Sequence, residues 1–348
     1  MKFEIYGSDQ EGWTEALRRI SPENSDINFL PDWYDTWRVY EQAVPKCIVA
    51  EIDGFIFIYP FFIKPIEGYD LDKTYFDIQT AYGYGGVITN RTDLPNAVIQ
   101  KFNSNVNNWL FENNVVAEFI REHPLLNHCR RDAAYLKVRQ NVYIDTKRDY
   151  SIPDKKARQN VSKVLRNPEI RVEIDDDLSH LDEFIRLYNL NIIRLNMSNY
   201  YHFPKEYFNK VRELLGKNAR LINIVYQDKI INSNLFLFFG NKGTMHLAGS
   251  DHEYQAIRGN DLMYYSAIEL SKNMGLEILT IGGGMSANED DSLFRFKSKF
   301  SDIHKDVMIG KKIVNAVVYD KLVLQWAEKH PELTEQYRNF FLRYRQVD

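Results

Sequence analysis

Little in this chain cross-links it, anchors it or presets a metal site. Two cysteines, Cys47 and Cys129, stand among 348 residues. They make neither a disulfide framework nor a metal-ligand spacing, and a reducing cytoplasm is their simplest setting. The most apolar run is FIFIYPFFI, residues 55–63. It is far short of the roughly 20 residues that span a bilayer. The start, MKFEIYGSDQ, has no basic region followed by an apolar one, so no secretory signal is expected. A membrane-linked substrate would therefore be met at the membrane surface. A large charge excess is also missing. The net charge of −4 disfavours broad nucleic-acid binding and gives no reason to expect DNA, while leaving room for a local basic groove. His123, His128, His202, His246 and His252 form no HExxH or related spacing, so no metal is assigned. The signatures GxSxG, P-loop and Rossmann are absent too.

What remains is the composition of a globular protein, with 44% hydrophobic and 26% charged residues, at a length that suits two domains. Aromatics reach 14%, with 22 Tyr and 21 Phe. Such rings grip sugars and also fill cores, and most are assigned to the core. Asp53-Gly54 separates two strand-like runs and predicts a hairpin. Val98, Phe102, Val106 and Leu110 predict a helix over 94–113. VVAEFI and YLKVRQNVYIDT read as strands. The segment SIPDKK reads as a linker and helix start, capped by Ser151 or Asp154, and that helix stops at Pro168. Phe184, Ile185, Tyr188 and Ile192 mark an amphipathic helix over 181–195. Another runs from Pro204 to Leu215 and is closed by Gly216. Three strands follow, then a helix capped by Asn260 and ended by Gly275, and strands are expected near 304–319.

The most informative stretch is Leu279 to Ser301, LTIGGGMSANEDDSLFRFKSKFS. Leu279, Thr280 and Ile281 suit a buried strand. Gly282, Gly283 and Gly284 let a ligand approach the backbone. Asp290 and Asp291 suit the first turn of a helix. Phe294 and Phe300 flank Lys297 at spacings of three, which puts an amine among rings on one helical face. Such an amine meets a phosphate or a developing oxyanion. The same pattern also suits a buried turn with a snorkelling lysine.

Two other blocks accompany it: HLAGSDHEYQAIRGNDLMYYSAIELSKNMG at 246–275 and YFDIQTAYGYGGVI at 75–88. In this order and spacing, from about Phe29 to Ile309, the blocks resemble the GNAT superfamily and its Fem-type branch. That branch comprises peptidoglycan-bridge aminoacyltransferases and related N-acyltransferases found with envelope-polysaccharide enzymes. The resemblance implies an α/β (α+β) chain of two tandem GNAT-like modules, each a mixed, mostly antiparallel sheet flanked by helices. The first module is placed at 1–150, with 320–348 folding back onto it, and the donor-bearing module at 151–319.

The resemblance also implies roles. Lys297 would lie at the donor's reacting end. Gly249 and Ser250 end one strand and Gly282 to Gly284 end its neighbour; in a GNAT module these two strands splay and hold the donor's acyl arm. The loop Arg258-Gly259-Asn260 would present backbone N–H groups to the donor, although QAIRGN departs from the family's basic-x-x-G-x-G/A pattern. Arg194 would contact an anionic acceptor, and Tyr82 and Tyr84 would stack on its sugar. Asp251, His252 and Glu253 are candidates for a general base. No cofactor is expected to be tightly bound. The co-substrate would be an acyl-CoA-like thioester or aminoacyl-tRNA, and the acceptor a small-molecule or lipid-linked glycan amine. A non-catalytic nucleotide-sugar or muropeptide binding module is the other class of reading. The basic run Lys155, Lys156, Arg158, Lys163 and Arg166 is either a solvated face or a rim for a diphosphate or tRNA.

Overall fold

A computed structural model describes residues 1–147, 150–288 and 290–347. The chain forms two compact units, Met1–Lys137 with Met308–Asp348, and Val138–Val307. The divisions fall at 137/138 and 307/308, where the sequence reading drew them at 150/151 and 319/320.

The first unit opens with β1 (Lys2–Gly7), α1 (Glu11–Arg18), α2 (Pro31–Glu41), β2 (Val44–Ile52), β3 (Phe55–Ile66), β4 (Tyr75–Gln79) and the short β5 (Ile88–Thr89). The first three were not expected. The turn between β2 and β3 has positive φ at both Asp53 and Gly54, which matches the twist of a hairpin. Then come α3 (Asn96–Glu112) and β6 (Val115–Arg121). Val98, Phe102, Val106 and Leu110 of α3 are all buried against Phe57, Phe61 and Val115. Sheet neighbours run β1-β2-β3-β4-β6, and only β4–β6 is parallel.

The second unit takes in most of β7 (Ala134–Asp145), then α4 (Lys155–Leu165), β8 (Ile170–Asp175), α5 (Leu181–Arg194), α6 (Lys205–Leu215), β9 (Ala219–Tyr226), β10 (Lys229–Phe239) and β11 (Lys242–Ser250). It closes with α7 (Gly259–Asn273), β12 (Ile278–Gly283), α8 (Ser292–Lys297) and the start of β13 (Ile303–Ile313). Its strands lie in the order β7-β12-β11-β10-β9-β8, and only β11–β12 is parallel. Asp154 caps α4, its carboxylate accepting from the Ala157 N–H. One face of this sheet packs Ile222, Phe236, Leu279 and Ile281 against Val161 of α4, Leu262 and Ile268 of α7, and Phe294 of α8. The other face receives α5 and α6, whose Phe184, Tyr188 and Phe208 rings meet edge to face. Gly216 keeps a right-handed φ of −51° and begins a 3₁₀ turn rather than a left-handed stop.

The end of β13 pairs antiparallel with β6 in the first unit, through Ile309–Ile313. The strand expected to reach 319 stops at Ile313. From Ala316 the chain is helical, as α9 (Ala316–Lys329), with Asn315 as its cap. Val318, Leu322 and Trp326 bury against Ile66, Val116 and Ala117. Among the described residues no helix is long and apolar enough to cross a membrane.

Candidate functional site

β11 and β12 are hydrogen-bonded partners for three residue pairs only, Lys242↔Ile278, Gly243↔Leu279 and Thr244↔Thr280. Both strands then continue, β11 to Ser250 and β12 to Gly283. Each carries one extra residue just past the last pair. His246 is extra in β11 against β10, and Ile281 is extra in β12 against β7. A bulge bends its strand and sharpens the twist. Two bulges at one point open the parallel pair into a V, and backbone groups beyond Thr244 and Thr280 leave the ladder. Such groups orient a carbonyl-bearing ligand.

Lys297 stands at one side of this V. Its Nζ donates to the Gly283 carbonyl at 2.9 Å. Gly282 has φ +74°, a conformation that favours glycine. A Cβ on Gly284 would come within 2.5 Å of the Asp291 carboxyl group. That carboxylate accepts from the N–H groups of Met285, Ser286, Leu293 and Phe294 at 2.9–3.1 Å. It ties the glycine turn to α8. Asp291 is thus the cap of α8 and not part of its first turn; Asp290 lies outside the helix, in an exposed ion pair with Arg295. The helix ends at Lys297, so the expected face of Phe294, Lys297 and Phe300 is not continuous. Phe294 meets His304, while Phe296 and Phe300 pack on Tyr264 of α7. Burial, and then the Arg139 guanidinium, hold the Lys297 ammonium down to about 7, with Asp291 opposing them in part.

The start of α7 differs from the expected loop. Arg258 is exposed with φ +62°, and the helix begins at Gly259. Asn260 is therefore in the first turn and is not the cap. Its side-chain oxygen accepts from Asn232 Nδ2 at 2.8 Å. A Cβ on Gly259 would lie 2.1 Å from Asn232 Oδ1. Asp261, in the same turn, is buried beside Asn160, and that burial raises its carboxyl above the usual range.

Ser250 lies with Arg194 rather than with Lys297. Asn191 of α5 accepts from Ser250 Oγ at 3.1 Å and from Arg194 at 3.5 Å, and donates to the Ala248 carbonyl. Gly249 faces the α5 backbone, where a Cβ would come 2.7 Å from the Tyr188 nitrogen. Close helix packing accounts for that glycine. Arg194 is exposed at the last turn of α5. Asp251 caps a 3₁₀ turn and pairs with Lys229 at 3.0 Å, while His252 and Glu253 are exposed. Tyr82 and Tyr84 belong to the first unit, in a loop after β4 rather than a bare exposed turn. The Tyr82 ring stacks on Trp37, and Tyr84 meets His123 edge-on. A shallow cleft of about 700 Å³ beside α8 is lined by Asp154, Phe294, Arg295, Ser298 and His304, and none of the residues expected to hold donor or acceptor lines it.

Three residues at or near the V had no assigned role. His246 is the bulge residue, and its Nε2 lies 2.8 Å from the hydroxyl of Tyr207 on α6. Arg139, on β7, sits close enough to depress Lys297. Its Nε is buried with no hydrogen-bond partner among the described residues. A bulge has no sequence signature of its own, so GTMHLAGS reads as an ordinary strand.

The parallel strand pair thus parts at facing bulges, with a helix start on one side and an amine at one tip. Residues 154–298 match the family model described as an acetyltransferase (GNAT) domain. That stretch therefore carries a GNAT domain. Solved structures share the fold of the chain. The crystal structure of FemX is 13% identical, with 92% of this chain and 99% of that chain covered and a TM-score of 0.67. L-PGS from Bacillus licheniformis is 11% identical, with 91% and 96% covered and a TM-score of 0.55. The C-terminal domain of a putative lysylphosphatidylglycerol synthetase from Agrobacterium fabrum is 13% identical, with 92% and 95% covered and a TM-score of 0.55. At these identities the likeness is one of fold. No curated protein matches the sequence.

Proposed function

We propose that this protein transfers an activated acyl group to the amine of an amino sugar or muropeptide precursor in cell-envelope glycan assembly. The observation that carries the reading is the V between β11 and β12 with Lys297 at its tip. A thioester whose pantetheine-like arm lies along the parted strands brings its carbonyl to the vertex. The amine attacks that carbonyl, a tetrahedral oxyanion forms, and the thiolate leaves. Lys297 is assigned to stabilise the oxyanion or protonate the leaving group, with no covalent enzyme intermediate. An anion at this tip would also satisfy the buried Nε of Arg139. Arg194, exposed at the end of α5, is assigned to an anionic part of the acceptor. We assign the reaction to the reducing cytoplasm, which the buried free thiols of Cys47 and Cys129 suit.

A second reading, with aminoacyl-tRNA as donor, is favoured by the first turn of α7. There a diphosphate would meet the Asp261 carboxyl group, and Gly259 is pressed against Asn232. Lys155, Lys156, Arg158 and Lys163 are all exposed on α4 and would supply phosphate contacts. The fold is also shared with a domain named as that of a putative lysylphosphatidylglycerol synthetase. The test is transfer of labelled acetyl from a pantetheine thioester, and of a labelled aminoacyl group from charged tRNA, to glucosamine and to a muropeptide. Thioester-dependent, RNase-resistant labelling supports the first reading, and RNase-sensitive labelling supports the second. Affinity for the acceptor without labelling from either donor would make the protein a binding module.

A further inference from the structure

We infer that Arg139 and Lys297 together hold a carboxylate that the acceptor carries a few bonds from its amine. This rests on the acyl-transfer reading and narrows its acceptor to an amino sugar with an acid substituent beside the amine. Asn141 of β7 pairs with Gly283, the last residue of β12. Arg139 stands two residues farther along β7, roughly 7 Å past that pair. Val142 and Ile144 bury against α4, α7 and α8, and Gln140 lines the cleft beside α8. Side chains alternate along a strand, so Arg139 lies on the other face of the sheet, the one that receives α5 and its Arg194. Lys297 comes to the same tip from α8, its Nζ on the Gly283 carbonyl. The turn between them, Gly282 to Gly284, puts no side chain in the way; a Cβ on Gly282 would lie 3.1 Å from Lys297 Nζ.

Donors at this tip outnumber their partners. An ammonium has three N–H groups. The Gly283 carbonyl takes one, and nothing among the described residues takes the other two. One of these serves the oxyanion or the leaving group, which leaves one over. The Arg139 side chain has no hydrogen bond or ion pair among the described residues, although its Nε is buried. A buried donor left unmet costs free energy that a bound acceptor group recovers. Asp291 is not that group, since its oxygens are taken by four backbone N–H groups and the Ser286 hydroxyl.

The Nε edge of a guanidinium offers two parallel N–H groups, a fork that fits a carboxylate. The charge agrees. Arginine is a fixed cation, and Lys297, held down to about 7, is a half-populated one at pH 7. A singly charged carboxylate balances them better than a phosphate dianion. The carboxylate is assigned to the acceptor because Arg139 shares a sheet face with α5. A reacting carbonyl at Lys297 and a carboxylate between Lys297 and Arg139 would be a few bonds apart.

The test uses the full chain at pH 7 and two acceptors whose amines sit at the same ring position. Glucosamine has a hydroxyl beside the amine, and muramic acid carries a lactate ether on that oxygen. With acetyl-pantetheine, or with charged tRNA where only that donor works, kcat/KM should favour muramic acid by at least about 30-fold. Arg139→Gln should bring this ratio to within about threefold of one, and Arg139→Lys should restore part of it. The ratio cancels losses common to both acceptors, such as those from an oxyanion role or partial unfolding. A wild-type ratio near or below one, or a ratio that Arg139→Gln leaves intact, would overturn the inference. So would a preference for succinyl-pantetheine over acetyl-pantetheine with both acceptors equal, which would put the carboxylate on the acyl group. Binding without turnover is read by calorimetry with N-acetylmuramic acid and N-acetylglucosamine. The first should bind at least about tenfold more tightly, and Arg139→Gln should remove the difference. A wild type that acylates neither sugar from either donor removes the acyl-transfer reading, and the binding comparison then decides the carboxylate site alone. Transfer without preference removes the carboxylate site and leaves the reading standing.

Discussion

Replacing Lys297 by Met, and separately by Arg, should change both the rate and the shape of the pH profile. Burial and Arg139 hold this ammonium down to about 7. At that value about 90% of the enzyme is in the ammonium form at pH 6 and about 10% at pH 8. If the cation serves the oxyanion or the leaving group, kcat/KM should fall about tenfold per pH unit above a midpoint near 7. That quantity reports the free enzyme. An acid limb from the acceptor amine should persist in every variant. Lys297→Met should erase the alkaline limb and lower the plateau by about 100- to 1000-fold. Lys297→Arg should carry no limb in this range, since guanidinium keeps its proton. Stability adds a second readout. The folded value lies below the ordinary 10.5, so between about 7 and 10.5 the unfolded chain binds the extra proton. Stability should therefore rise with pH across that window, and Lys297→Met should flatten the rise. At pH 7 the Met variant should be no less stable than wild type. The measurements are initial rates from pH 5.5 to 9.5 and denaturant midpoints over the same range. A limb near 7 that survives in Lys297→Met would refute the assignment. So would a large stability loss with normal specific activity in the folded fraction.

Arg139→Gln should move the same alkaline limb upward, because it removes the second cause of the depression; an unmoved limb would deny that the two cations share a site. Arg194→Ala should raise KM for the acceptor while leaving kcat and the donor KM near wild type, the pattern of uniform binding, and an unchanged acceptor KM would take Arg194 out of the site. Gly249→Ala should cost about 1–3 kcal/mol in guanidinium unfolding, since its Cβ must sit where Leu187 and Tyr188 already are; full stability would mean that α5 yields freely. With a thioester donor, Lys155→Glu with Arg158→Glu should hardly alter donor affinity or its salt dependence. A steep salt slope that these reversals flatten would instead favour tRNA.

Periodic elements were legible in the sequence where one face is apolar and the ends are marked. α3 and α5 carry their buried stripes at helical spacing, and the Asp53-Gly54 turn and the Gly275 stop have the backbone signs those residues announce. β1, α1 and β8 were not legible. β1 and β8 are short and largely unburied, so neither shows a strong alternation. α1 is eight residues long, and its buried Trp13, Ala16 and Leu17 make too brief a stripe. The continuation of β13 to 319 was misread because IVNAVVY is rich in β-branched residues, whereas Asn315 caps a helix there. The glycine turn and Lys297 could be read because φ-permissive residues and a lysine among rings are written into the chain. The Asn191 link from Ser250 to Arg194, the Asn232–Asn260 contact and the His246 bulge could not. Each depends on which residues a strand register or a helix crossing brings together, and no local pattern encodes that.

The account's central claim is that acyl transfer takes place at the vertex between β11 and β12. The most direct measurement is a crystal structure of the protein with a non-hydrolysable thioether analogue of an acyl-pantetheine. The predicted result is an arm lying along the parted strands, with its carbonyl next to the backbone around His246 and within about 3.5 Å of Lys297 Nζ. An analogue bound instead in the cleft lined by Phe294, Arg295 and His304, with the vertex closed to it, would contradict the account.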